Sequence, residues 1–453
     1  MTVRGLLAVA AVMALGASLV FAYFRLEGSE PTLTAPDAIS VGKQGSQLVV
    51  EVGDADSGLR SVELRVLYPG GGKTLLERPF RGELLTGGPT RNERIELDLE
   101  PELLGLPDGS ASLIVTARDW SWRDGLAGNR AEQSIDLIVD TRPPEIEIPS
   151  GITYLKRGGA AALVYSTNEP TERDGVRVGE HFFPGYPLAG CEGSDSQRVA
   201  LFAAPVDGAQ GAETVVVAVD VAGNAAEESV RARILERRFR DVRVPLSRGF
   251  LDTVSKSLAT ANEMQSGDAV ADFRRVNEEL RGTNEARIRE LVAAAREASC
   301  RRRFEGAFTQ LRNSAVTGHF AEQRDYRVGG APVSRATHYG FDLASTANAP
   351  VTAANSGVVI FAGELGIYGN MVLIDHGLGL TSLYGHLSSI DVAVGDEVAK
   401  GEVLGNSGAT GLAGGDHLHF ALLVGDTYVD ALEWWDPKWV RTHIDARIAP
   451  QPQ

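Results

Sequence analysis

Asp416-His417-Leu418-His419-Phe420-Ala421-Leu422-Leu423 places two imidazoles two residues apart at the head of an apolar run. The run and the absence of helix capping predict a β-strand, in which residues two apart share a side, so both rings face one cleft. Upstream, Thr337-His338-Tyr339-Gly340-Phe341-Asp342-Leu343 follows the same alternation. His338, Gly340 and Asp342 fall on one face, with Gly340 leaving space between the two polar side chains. With His386, these residues hold four of the eight histidines in the chain. A His-Asp-His set offers three nitrogen or oxygen donors to a tetrahedral zinc ion and leaves a fourth position for water, the pattern of a catalytic site rather than a closed structural one.

His338-x-x-x-Asp342, then Tyr384-Gly385-His386-Leu387, then His417-x-His419, with a Gly-rich turn from Gly408 to Gly415 before the last pair, resembles the LytM/lysostaphin-type M23 zinc endopeptidases. Each motif alone is weak; their order is specific. The resemblance covers less than a third of the chain. It implies His338, Asp342 and His419 as ligands of one zinc ion, His386 and His417 as the two histidines that assist proton transfer, and peptidoglycan peptides as substrate. Asn370, in Tyr368-Gly369-Asn370-Met371, matches a position beside the groove and is expected to contact substrate. No HExxH helix is present, so the general base is expected to be one of the two free histidines. His181, His319, His376 and His443 are expected to be structural, and Asp375 and Asp416 to shape turns or orient imidazoles. The chain departs from the family before the first ligand, where Gly318-His319-Phe320-Ala321 and a hairpin through Gly329-Gly330 replace the usual aromatic-Gly turn.

The expected fold class is mainly β and multidomain: a transmembrane helix, two Ig-like β-sandwiches, a helical connector and an antiparallel β peptidase domain of the LytM, duplicated-hybrid-motif type. Residues 5–24 carry no charge and follow Arg4, long enough to span a bilayer, and no small-x-small cleavage site follows. A single-pass signal anchor is expected, with the catalytic domain on the extracytoplasmic side. Alternating stretches at 47–52, 61–66, 112–117 and 134–139 predict a sandwich over 31–141. Val215 to Asn224 echoes Val115 to Asn129, which suggests an internal duplication and a second sandwich over 142–235 beyond Arg142-Pro143-Pro144. One of these sandwiches packed over the groove would keep the enzyme latent. A helical connector is expected over 248–303, with Thr283-Asn284-Glu285 as a capped start, and the peptidase domain over 305–440.

With 60 acidic and 44 basic residues the net charge is −16, which disfavours nucleic acid as a partner despite Arg301-Arg302-Arg303. Cys191 and Cys300 lack metal-ligand spacing and, outside the cytoplasm, are free to pair. Besides an envelope scaffold of sandwiches, which leaves the histidine spacing unexplained, two other functions compete. One is a LytM-type factor that binds peptidoglycan or activates a partner amidase without hydrolysis, although its members usually lose metal ligands. The other is a biotinyl/lipoyl carrier suggested by Val394 to Gly405, disfavoured because Lys400 lacks the carrier setting.

Overall fold

Strand Leu418–Val424 is buried along its whole length, flanked on its two edges by the antiparallel strands Phe341–Ala344 and Leu380–Leu387. A strand covered on both faces is written as an unbroken apolar run, which is why the sequence from Leu418 onward lacks polar alternation. The sheet continues from Leu380–Leu387 through Asn370–Asp375 to Gly357–Glu364, and Ala315–Gly318 closes its other end. Tyr384, Phe420 and Trp434 are fully buried beneath it. This computed structural model describes residues 3–149, 151–191, 196–208 and 211–449.

The hairpin Glu322–Val328 and Ala331–His338 turns through Gly329 and Gly330, whose φ angles of 57° and 89° no β-branched residue accepts readily. Its outer strand pairs in parallel with Asp241–Pro245, residues far upstream in the chain. After that strand the backbone turns helical. Asp268 Oδ1 accepts the backbone N–H groups of Val270 and Ala271, so the long helical stretch begins at Ala269. Segments Ala269–Arg275, Val276–Leu280 and Arg281–Ala294 follow without a break, the middle one wound more widely. The expected capped start at Thr283 is therefore incorrect. Thr283 lies inside the helix and its hydroxyl donates back to Glu279 O, because an upstream aspartate already caps the stretch. Buried Asn277 and Asn284 dock this helix: Asn277 Nδ2 donates to Ser334 Oγ at 2.9 Å, and Asn284 Oδ1 accepts from the Ile367 N–H at 2.9 Å.

The chain divides into two compact units, Met1–Pro143 with Val219–Ala225, and Pro144–Ala218 with Ala226–Gln453. In the first, sheets of three and five strands enclose one apolar core that includes Leu48, Val50, Val62, Leu64, Leu113 and Ile135. All four stretches read as strands lie in strands. The helix Val3–Arg25 belongs to this unit; its portion Leu7–Arg25 is apolar and long enough to cross a membrane, and of that portion Arg25 alone is buried in protein. Arg25 fixes the helix end by donating to Leu84 O and Trp120 O. The echo between residues 115–129 and 215–224 has a structural counterpart in one turn. Asp119 Oδ1 accepts the Asn129 N–H at 2.7 Å and its Oδ2 accepts the Asn129 amide at 2.8 Å; Asp220 and Asn224 repeat the pair at 2.9 and 2.8 Å.

In the second unit, two four-stranded sheets precede the helices, and their apolar residues share a core with the C-terminal sheet. Cys191 and Cys300 form a disulfide across 109 residues of sequence, their Cα atoms 5.2 Å apart. Next to it, Ser299 Oγ donates to Asp375 Oδ1 at 2.7 Å, so the end of the helical segment is pinned to the C-terminal sheet. Opening a bridge over so long a loop is expected to cost about 2–4 kcal/mol. Calorimetry of Cys191→Ser/Cys300→Ser is therefore expected to show a melting transition lowered by several degrees. An unchanged transition would mean that the surrounding packing already holds the segment.

Candidate metal centre

Three neighbouring strands bring the polar set together. Register pairs Asp342 with His419 on one side of the central strand and His419 with Gly385 on the other. His338 arrives at the end of the hairpin, three residues before strand Phe341–Ala344 begins. His386 would be carried to the wrong place by regular pairing. A bulge opposite Met371 and a left-handed backbone at His386, with φ of 64°, re-aim it.

His338 Nε2 lies 3.0 Å from Asp342 Oδ1 and 3.1 Å from His419 Nδ1, and His419 Nδ1 lies 3.1 Å from Asp342 Oδ1. Such a triangle is close to one face of a zinc tetrahedron, whose edges are about 3.3 Å for bonds near 2.0 Å. Its protons favour a cation as well. His338 Nδ1 sits 2.9 Å from the carbonyl of His319, which can only accept, so the proton is on Nδ1 and Nε2 presents a lone pair to the centre. Two acceptors and a third nitrogen thus crowd one point with at most one proton among them. All three side chains are largely buried, which makes that crowding costly without a cation. Asp342 Oδ2 is taken separately by Arg324 at 2.7 Å, leaving Oδ1 alone for the centre.

The other two histidines stand beside this triangle. His417 Nε2 is 3.6 Å from Asp342 Oδ1, and its Nδ1 donates to Gly415 O at 2.8 Å. His386 Nδ1 donates to Thr410 O at 2.8 Å, and its ring centre is 4.8 Å from that of His417 and 5.8 Å from that of His419. Burial pushes His386 down to about 3 and His419 down to about 4, so both rings are neutral at pH 7. Burial works to raise Asp342, but His338, His417 and His419 outweigh it and hold the carboxyl well below the usual range. Gly340 is sterically required: a Cβ there would come within 2.7 Å of His419 Cε1 and of Phe420 O.

The centre opens into a cavity of about 380 Å³. Part of its lining comes from connections of the C-terminal domain: Ile367 and Tyr368 in a short 3-10 turn, and Leu412 and Gly414 in the Gly-rich loop. Upstream segments contribute Pro245, Leu246, Phe250, Phe273 and Arg281 to the lining. Among the described residues, none of 142–235 lines it.

Asn370 is not brought to the cavity. Its Nδ2 donates to Leu387 O at 3.1 Å and its N–H to Thr410 Oγ1 at 3.0 Å, so it braces the turn whose carbonyl holds His386. Asp416 accepts from Ser407 Oγ at 2.6 Å and the Asn348 N–H at 2.9 Å, shaping the loop before His417. His376 is fully buried between Ser356 O and Ser382 Oγ, 2.7 Å from each. His319 contributes through its carbonyl alone. Arg324 is the site residue that sequence reasoning missed, since nothing distinguishes Glu322-Gln323-Arg324 from any alternating polar strand.

Residues 336–431 match Peptidase family M23. Over 117 residues the chain is 46% identical to the DD-carboxypeptidase/endopeptidase Mpg of Neisseria meningitidis, covering 26% of this chain and 27% of that protein. Over 104 residues it is 38% identical to the peptidoglycan DD-endopeptidase ShyA of Vibrio cholerae, covering 22% and 24% respectively. The solved catalytic domain of lysostaphin from Staphylococcus simulans aligns at 31% identity over 29% of this chain and 98% of that chain, with a TM-score of 0.25. The matched stretch spans about a quarter of the length of the two curated relatives, 27% and 24%. Within those limits, and with the ordered histidines and aspartate all in place, residues 336–431 form a peptidase domain of family M23.

Proposed function

We propose that this chain is a zinc-dependent endopeptidase that cuts peptide cross-links of peptidoglycan, held at the membrane by its N-terminal helix with the peptidase domain on the outer side. The carrying observation is the convergence of His338 Nε2, Asp342 Oδ1 and His419 Nδ1 within 3.1 Å of one another. Zinc held there would lower the pKa of water and polarise a peptide carbonyl. The protein supplies the rest. Arg324 orients Asp342, and the His319 carbonyl orients His338. His386 and His417 each keep Nδ1 on a backbone carbonyl and leave Nε2 for the proton that must leave the attacking water and reach the departing amine. The apolar cavity walls limit competing water. The names of the Neisseria and Vibrio relatives support peptidoglycan as the substrate class.

The test is to incubate the zinc-loaded, detergent-solubilised full chain with purified sacculi and to separate the released muropeptides by chromatography, with His338→Ala as the blank. Cross-linked dimers are expected to decline and monomers to rise. Sacculus binding without any released product would instead favour the non-hydrolytic, amidase-activating role.

A further inference from the structure

We propose that Arg281 forms an anion subsite in the cleavage groove, taking a free carboxylate of the substrate peptide close to the bond that is cut; this rests on the endopeptidase function proposed above. Arg281 lies outside the matched family segment, on the upstream helix, yet it lines the same cavity as His338, His386 and His419. Its guanidinium is held in place. Nε donates to Asn277 O at 3.1 Å and Nη2 to Asn277 Oδ1 at 2.8 Å, while Asn277 is itself buried and bonded to Ser334. Nη1 has no protein partner among the described residues, and no carboxylate there lies within ion-pair distance of Arg281. Glu285, one turn further on, lies beyond ion-pair distance of Arg281 yet feels its charge ahead of that of Arg289, its ion-pair partner at 3.9 Å.

The remaining groups of the cavity sharpen the point. Among the described residues two cationic side chains line it, Arg281 and Arg324, and Arg324 is already spent on Asp342 and Glu322. Among the described residues Asp342 is the one carboxylate in the lining, and it is committed to Arg324 and the neighbouring histidines. Phe250, Phe273 and Leu246 add apolar lining, and Arg281 makes no ion pair inside the cavity among the described residues. A preoriented guanidinium in such a setting is the arrangement that recognises a planar carboxylate. Tyr368 lines the same cavity as Arg281, and its ring centre lies 5.6 Å from that of His419. A cross-link peptide with a free α- or side-chain carboxylate fits this chemistry; a fully amidated or neutral one leaves Arg281 unpaired.

The experiment compares two synthetic cross-linked peptides that differ only in whether the carboxylate nearest the scissile bond is free or a carboxamide, using zinc-loaded full chain in detergent. The free acid is expected to be cleaved with kcat/KM about ten-fold or more above the amide, mainly through KM, as for a lost charge-assisted hydrogen bond. Arg281→Gln is expected to bring the acid down to the level of the amide, and Arg281→Lys to restore part of the preference. Equal cleavage of both peptides by the unaltered enzyme would overturn the subsite while leaving the endopeptidase function standing. A preference that survives in Arg281→Gln would overturn it too. Cleavage of neither peptide would overturn both. The acid-to-amide ratio of the unaltered enzyme decides the matter even if the Gln variant folds poorly.

Discussion

Asp342→Asn is expected to remove bound zinc and, with it, hydrolysis. The Oδ1 atom of Asp342 is the only anionic donor in the triangle, 3.0 Å from His338 Nε2 and 3.1 Å from His419 Nδ1. An asparagine presents either a neutral oxygen or an N–H group there, and the N–H would point at a lone pair-rich centre. Its other side also loses charge, because Arg324 would face an amide in place of Oδ2. Several kcal/mol of electrophilic stabilisation disappear, so activity is expected to fall roughly a thousand-fold or more. Metal analysis by mass spectrometry after gel filtration provides the independent measurement. Stoichiometric zinc and near-normal turnover in Asp342→Asn would show that the triangle does not hold the catalytic ion.

The second large effect separates proton transfer from metal binding. His417→Ala and His386→Asn are each expected to keep zinc while kcat falls roughly 10²- to 10⁴-fold, the range for loss of a positioned acid or base. Asparagine is chosen at position 386 because the backbone there is left-handed, with φ of 64°, and asparagine tolerates that conformation where alanine does not. KM should change little, since neither side chain has to bind the resting substrate. Loss of zinc from either variant would place the altered residue among the ligands. Full activity in both would remove the histidine pair from the mechanism.

Much of the site was legible because its residues are chemically rare and locally spaced. His417 and His419 announce themselves by a two-residue interval, and His338, Gly340 and Asp342 by another, since strand geometry converts spacing directly into facing. The N-terminal helix and the strands of the first unit were readable for the same reason: period and composition are local properties. The capped start at Thr283 was misplaced because Asp268 and Thr283 are both acceptable caps in isolation, and only the packed helix shows which one its N–H groups use. Asn370 matched a groove position by motif; in the fold its Nδ2 donates to Leu387 O and its N–H to Thr410 Oγ1.

What the linear chain by itself determined is the inventory: five polar residues in order, strand alternation around them, an apolar helix long enough for a membrane, and two cysteines free to pair. Tertiary structure decided which inventory members meet and how they are held. Carbonyls of His319, Thr410 and Gly415 choose the ring nitrogen that each imidazole presents, and every residue carries the same carbonyl, so no letter in the sequence marks them. Strand Asp241–Pro245 joins the hairpin and Arg281 enters the cavity wall from far upstream. Side-chain period records which face a residue takes; the choice of neighbour across that face depends on packing between distant segments, and this is settled only when the chain is folded.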